Sequence, residues 1–344
     1  MLPAAQLKDV SRILVIKLRA IGDVLLSTIV TKNLRDAFPR AAIHFLTESP
    51  SRDVLIGNEF IDEIILFDRN ATSGLDLISS IRQRHYDLVI DLFGNPRTAL
   101  ITRLSGARTR VGYRFRGRAY AYNVIVEPRG SSVHNTQFNL DALEALGIDI
   151  QDRNVYFRFS PEDEHFVDDY LQSALLQNAF LVCLNPGGGW YTKRWGNEKF
   201  AVLGDWLKTE YGAVTVLAWG PGERAAVEKI RSSMKHPAFI PPPTTLAQLG
   251  ALLKKCRFMV TNDSGPMHLA AAVGVPVLAI FGPTNPLLQG PVGDQHVIVR
   301  NERLSCLGCN YTDCPIGHPC MLELTEERVM DGVRQLLAKN GIAP

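Results

Sequence analysis

The chain has 344 residues, of which 46% are apolar and 21% charged, with a formal net charge of +2. That composition excludes a disordered polymer, and so small a net charge leaves no global footprint for nucleic acid. No apolar run approaches the ~20 residues that span a bilayer, and the opening M-L-P-A-A-Q-L-K-D-V carries no apolar leader core, so a cytoplasmic protein of two domains is expected.

Residues 12–18 (R-I-L-V-I-K-L) predict a buried strand. Residues 23–38 have helical periodicity, with Leu26, Ile29, Val30, Leu34 and Ala37 on one face. Residues 42–46, 61–67 and 87–92 are further strands, separated in part by helices over 75–84 and 98–104. The alternation breaks between 149 and 161, where Q-D-R-N is followed by S-P-E-D-E and a new helix. A second series then runs as strand 180–184, helix 197–210, strand 214–219, helices 223–234 and 246–255, strand 257–260, helix 269–273 and strand 277–281. A last helix covers 325–339. Such alternation predicts an α/β fold of parallel, helix-covered sheets. We read two doubly wound, Rossmann-like domains, 1–165 and 166–344, the last helix packing back on the first.

In such sheets ligands bind beyond the carboxyl ends of the strands, and two facing domains would place a site in the cleft between them. Polar residues at strand ends are therefore the site candidates. The first strand turns into its helix at Gly22 and Asp23, and the fourth ends in D-L-F-G-N, with Asp91 and Asn95. In the second series, L-N-P-G-G-G-W-Y-T-K-R-W-G lacks the spacings of the Walker and dinucleotide motifs. It still offers Gly187, Gly188, Gly189, Thr192 and Lys193, which are backbone donors, a hydroxyl and a cation suited to a diphosphate. Glu223, after A-W-G-P-G, could take ribose hydroxyls. In T-N-D-S-G-P-M-H, Asp263, Ser264, Gly265 and His268 stand where a strand feeds a helix, an anion-binding position. The bland alternative is that Asp263 or Ser264 only caps that helix.

Two local features stand apart. Between residues 92 and 126 there is no Asp or Glu, while Arg97, Arg103, Arg108, Arg110, Arg114, Arg116 and Arg118 fall there. This is a solvated face or a dock for an anionic partner or membrane surface. Cys306, Cys309, Cys314 and Cys320 form C-x2-C-x4-C-x5-C, which could hold a structural zinc, although the last intervals depart from common zinc-ribbon spacing.

Four stretches, I-L-V-I-K-L-R-A-I-G-D-V-L-L-S-T, D-L-F-G-N, N-P-G-G-G-W-Y-T-K-R-W-G and T-N-D-S-G-P-M-H-L-A-A-A-V-G-V-P-V-L-A-I-F-G-P-T, occur in that order over residues 13–284. Together they resemble glycosyltransferase family 9, the bacterial lipopolysaccharide heptosyltransferases. The resemblance implies a GT-B fold of two facing Rossmann-like domains. It implies an inverting transferase that needs no cofactor for catalysis, an ADP-heptose donor on the second domain, and an anionic, lipid-linked lipopolysaccharide core acceptor on the first. It also implies peripheral contact with the cytoplasmic face of the inner membrane. Asp23 matches the family's catalytic base, Lys193 the lysine near the donor phosphates, and Glu223 the acid on the donor ribose. Asp263, Ser264, Gly265 and His268 match the element around diphosphate and heptose, and Thr244 to Leu246 fall, by position, near the adenine. Gly22, Asp91, Asn95, Arg114, Arg116 and Arg118 are expected on the acceptor side. The alternatives are a transferase of another nucleotide sugar and a non-catalytic sugar-nucleotide binding module.

Overall fold

A computed structural model describes residue 7 and residues 9–68 and 73–343. Part of the N-terminal stretch read above for a leader therefore lies outside the described residues. Two compact units, Met1–Arg158 and Phe159–Pro344, divide the chain. The helix that S-P-E-D-E starts belongs to the second.

In the first unit the elements are β1 (Arg12–Ile16), α1 (Ile21–Ser27), α2 (Ile29–Ala37), β2 (Ala42–Glu48), α3 (Ser49–Arg52), β3 (Glu63–Phe67), α4 (Gly74–Gln83), β4 (Leu88–Asp91), α5 (Pro96–Leu104), β5 (Thr109–Tyr113), β6 (Val124–Val126) and α6 (Asn135–Glu144). Six parallel strands form a sheet in the order β3-β2-β1-β4-β5-β6. Leu14, Ile16, Leu46 and Val89 send their side chains to one face. There they meet Leu77 and Ile81 of α4 and Ile101 of α5. Alternate strand residues on one side of the pleat make this pattern.

The helix expected over 23–38 is interrupted at Thr28. Its hydroxyl donates to the Leu25 carbonyl (2.7 Å) and accepts the amide of Tyr156 (2.8 Å), while Ser27 bonds back to Val24. Such back-bonding competes with the helical ladder, and here it ties the 154–158 segment to the unit. β5, β6 and α6 lie in or just after the arginine-rich stretch, where no strand was expected. Gly112 in β5 is required by packing: a Cβ there would stand 2.3 Å from the Tyr122 ring.

The second unit runs α7 (Pro161–Ser173), β7 (Leu181–Asn185), α8 (Asn197–Tyr211), β8 (Val214–Leu217), α9 (Arg224–Ser233), β9 (Ala238–Phe239), α10 (Leu246–Lys255), β10 (Phe258–Asn262), α11 (Gly265–Ala272), β11 (Val277–Ile280), α12 (Pro286–Gln289), β12 (Val297–Val299), α13 (Pro319–Leu322) and α14 (Glu326–Asn340). Its sheet has the order β12-β11-β10-β7-β8-β9, again parallel throughout. Val182, Leu184, Val260, Leu278 and Ile280 pack with Phe200, Leu203 and Leu207 of α8 and Val333 and Leu336 of α14 in one core. The last helix is thus seated on the sheet of its own unit, against β11, β12 and α8. Each such buried Leu, Ile or Phe contributes about 1.5–3 kcal/mol.

Both strand orders reverse direction once, between β1 and β4 in the first unit and between β7 and β10 in the second. Chain segments leaving those two strands part to opposite sides, which opens a crevice at the carboxyl edge of each sheet.

Candidate functional site

Four loops meet at the switch point of the second sheet. They follow β7, β8, β10 and β11, the last of them a contribution the sequence reading did not select. The Nζ of Lys193 lies 2.7 Å from Oδ2 of Asp263, and both side chains are largely withdrawn from solvent. The hydroxyl of Thr284 donates to the same oxygen at 2.6 Å. Lys193 also stands 4.5 Å from the centre of the Trp190 ring. A cation is thereby fixed between a carboxylate and an aromatic face, with its loop braced by the hydroxyl of Thr192, which donates to the Tyr311 carbonyl (2.8 Å).

The capping alternative for Asp263 and Ser264 does not hold. Ser264 occupies the N-cap of α11, yet no side chain caps the helix. Its hydroxyl accepts from the side-chain Nδ2 of Asn185 at 3.0 Å, and Asp263 is committed to Lys193 and Thr284. In the first turn of α11 the Met267 amide already donates to the Ser264 carbonyl (3.2 Å) and Pro266 has no N–H, so the N–H of Gly265 is the donor that faces another acceptor. Pro266 follows Gly265 and starts the helix at a position that needs no N–H. His268 is buried one turn further along.

Glu223 reaches back from the start of α9. Its Oε2 accepts the Gly220 amide at 2.8 Å. The carboxylate lies against the Cα of Gly187, where a Cβ would come within 2.6 Å of Oε1. The glycine is thus required there by the acid. Gly189, two residues on, faces open space. Nearby, Trp219 donates its indole N–H to the Pro241 carbonyl (2.9 Å) beneath the Arg224 guanidinium. Thr245 caps α10, accepting from the Gln248 amide.

In the first unit Gly22 and Asp23 lie in the first turn of α1, and Oδ2 of Asp23 accepts the Ala20 amide at 3.3 Å. Lys17, at the end of β1, was missed by the sequence reading. Its ammonium donates to the Leu92 carbonyl (3.1 Å) and feels the carboxylates of Asp23 and Asp91. Burial lowers the Lys17 pKa, and the two acids oppose that shift.

Asp91 does not present itself as expected. It is fully buried, with Oδ1 accepting the amides of Phe93 (3.0 Å) and Gly94 (2.9 Å) and Oδ2 accepting the Tyr122 hydroxyl (2.8 Å). Burial raises its pKa against those bonds. Its carboxylate thus serves the turn that carries Asn95, whose side-chain oxygen caps α5 through the Thr98 amide (2.8 Å).

The arginine stretch is engaged in part, although Arg97 and Arg114 remain exposed. Arg110 donates to the carbonyls of Ala107 and Ala121. Arg114 pairs with Glu127, Arg97 lies over Phe67, and Arg118 lies over Phe115. Arg103, Arg108 and Arg116 are exposed.

Of the four clustered cysteines, Cys306 is exposed, Cys309 and Cys314 are half-buried and Cys320 is buried. Burial pushes the Cys320 thiol up to about 11, and the other three lie close enough to reinforce it. Among the described residues no group of three or more His, Cys, Asp or Glu is arranged to hold a metal ion. No described helix is long and apolar enough to cross a membrane.

Known proteins share this architecture. Residues 75–318 match the model of glycosyltransferase family 9 (heptosyltransferase). The chain is 28% identical over 290 residues to lipopolysaccharide heptosyltransferase 3 of Escherichia coli, covering 78% of this chain and 83% of that one. A glycosyltransferase family 9 crystal structure from Veillonella parvula superposes with a TM-score of 0.85 at 25% identity, over 96% of this chain and 98% of that one. The E. coli ADP-heptose lipopolysaccharide heptosyltransferase II follows with a TM-score of 0.78 at 23% identity, over 96% and 99%. The last likeness is one of fold, the GT-B type.

Proposed function

We propose that this chain, which belongs to glycosyltransferase family 9, moves heptose from ADP-L-glycero-D-manno-heptose to the inner core of lipopolysaccharide, with inversion at the anomeric carbon. Membership makes it a glycosyltransferase of the lipopolysaccharide heptosyltransferase group. The donor, the stereochemistry and the residue roles are our reading.

The observation that carries the reading is the Lys193–Asp263–Thr284 cluster beside the Gly187–Glu223 contact, at one switch point. A sugar nucleotide offers a diphosphate and a ribose a few ångströms apart. Lys193 supplies a cation for the first and Glu223 a carboxylate for the second. An ADP-heptose enzyme of the same fold makes adenosine diphosphate the first choice of nucleotide.

In this scheme Asp23 takes the proton of the acceptor hydroxyl as its oxygen bonds to the anomeric carbon. The bond from that carbon to the diphosphate breaks on the opposite side, which inverts the centre. Charge gathers on the departing ADP, and the Lys193 ammonium and the positive N-terminal end of α11, with the Gly265 N–H, stabilise it. Side chains and a helix end thus handle both the proton and the leaving group, and the scheme asks for no cofactor. Gly22, Asn95 and the exposed arginines of the first unit receive the anionic acceptor, and Asp91 shapes their loop from beneath. A lipid-linked acceptor places the enzyme at the cytoplasmic face of the inner membrane.

Calorimetry with a panel of nucleotides tests the donor. ADP should bind far more tightly than UDP, GDP or CMP; equal affinity for ADP and UDP would reject the assignment.

A further inference from the structure

Asn262 ends β10 with its side chain fully buried, in a place where no ladder bond needs it. Its Nδ2 donates to the carbonyls of Pro186 (2.8 Å) and Gly187 (3.2 Å), and its Oδ1 accepts the Trp195 amide (3.2 Å). One residue thus holds both ends of the loop that bears the glycines and Lys193. The next carbonyl, that of Gly188, is held by Nε of Arg194 at 3.0 Å. Three successive carbonyls are therefore each held by a side-chain donor.

The consequence follows from peptide geometry. In a planar trans peptide the C=O and the following N–H point in opposite directions. Pinning the carbonyls of Pro186, Gly187 and Gly188 points the amides of Gly187, Gly188 and Gly189 away from those donors. Consecutive amides so directed form a concavity that binds anions. The Glu223 carboxylate stands against Gly187 and repels an anion there, whereas Gly189 faces open space.

We propose that Asn262 is a positioning residue that, by holding the Pro186 and Gly187 carbonyls while Arg194 holds that of Gly188, sets the amides of Gly188 and Gly189 as the seat of a phosphate group. This rests on the reading of the second unit as the site of a nucleoside diphosphate. Asn262 touches neither the nucleotide nor the reacting atoms; it acts through the loop.

Asn262→Asp tests this. The variant keeps the volume and the acceptor for Trp195 but replaces the donor to both glycine-loop carbonyls with an oxygen. ADP and adenosine binding are measured by calorimetry on the full chain, with thermal melting alongside. The Kd for ADP should rise about tenfold or more, the loss of two hydrogen bonds, while that for adenosine stays within about twofold. A merely structural role would weaken both ligands in parallel with a fall in Tm, and that result overturns the proposal, as does unchanged ADP binding. If the wild-type chain binds none of ADP, UDP and GDP, the donor reading itself fails and this proposal with it. Wild-type hydrogen exchange gives a second test that no folding defect can obscure. The Trp195 amide should exchange at least ~10²-fold more slowly than in a free peptide; exchange at the free-peptide rate shows that Asn262 does not hold the loop.

Discussion

Lys193 and Asp263, 70 residues apart in sequence, form an ion pair at 2.7 Å on the carboxyl edge of the second sheet. The pair is largely buried, so each charge depends on the other, and Asp263 also on the Thr284 hydroxyl, for its hydrogen bonds. Lys193→Ala should weaken ADP about 10- to 100-fold, the range of a lost charge-assisted hydrogen bond, and adenosine much less. Because the change also strands Asp263, the double variant Lys193→Met with Asp263→Asn should recover Tm but not ADP affinity. Parallel recovery of both by titration and melting would reduce the lysine to a structural role.

Gly187→Ala should damage nucleotide binding more than it damages the fold. The added Cβ would come within 2.6–2.7 Å of both Glu223 carboxylate oxygens, closer than any stable contact allows. The acid must swing away, lose the Gly220 amide and abandon its place beside the glycine. ADP affinity should fall at least about tenfold in calorimetry, and the further change Glu223→Ala should relieve the clash in the Tm without restoring ADP.

The cationic segment gives a salt-dependent expectation. Replacing Arg114, Arg116 and Arg118 together with Gln should raise the acceptor KM and flatten its dependence on ionic strength, because exposed charges act through screened fields. Arg116 should account for most of this, since Arg114 already answers Glu127 and Arg118 lies over Phe115. Donor KM should not change. Steady-state kinetics across a salt series decide it, and an unaltered acceptor KM would leave these arginines with a structural part only.

His296 predicts a pH effect on stability. The Val277 amide donates to its Nδ1 (3.1 Å), and Nε2 lies 2.9 Å from the Val292 carbonyl, which fits only the neutral ring with its proton on Nε2. Burial lowers its pKa, and nearby Lys339 adds to the shift. The folded value thus lies below the unfolded one of ~6.5. The unfolded chain binds the proton first, so the stabilising contribution is complete above that pH and is lost as pH falls below it toward the folded value. Melting from pH 7.5 to 5 should show a steeper decline for the wild type than for His296→Gln; identical slopes would contradict the assignment.

Much of the fold is legible in the sequence because the central strands are continuous apolar runs. β1, β4, β7 and β10 are covered on both faces by helices, and V-I-L-rich runs are the direct consequence. β5 was hidden because Arg110 and Gly112 interrupt its apolar pattern, and β6 because it is only three residues, V-I-V. Rules about strand ends led to Asp23, Lys193, Glu223 and Asp263, and the same rule applied once more, to F-G-P-T, leads to Thr284. Asn262 carries a weaker signal: a residue poorly suited to strands at the end of a strand. What the sequence does not carry is pairing. That Asp91 spends its carboxylate on a turn, that Lys193 meets Asp263, and that one asparagine reaches two carbonyls are all consequences of loops converging in space.

The central claim is heptosyl transfer from an ADP donor with Asp23 as the base. Purified chain, ADP-L-glycero-D-manno-heptose and heptose-deficient lipopolysaccharide core should yield, by mass spectrometry, an acceptor heavier by one heptosyl unit with one ADP released. Asp23→Asn should cut that rate ~10²-fold or more with ADP affinity unchanged. No product from ADP-heptose while UDP- or GDP-sugars are consumed would contradict the donor, and near-normal turnover by Asp23→Asn would contradict the base.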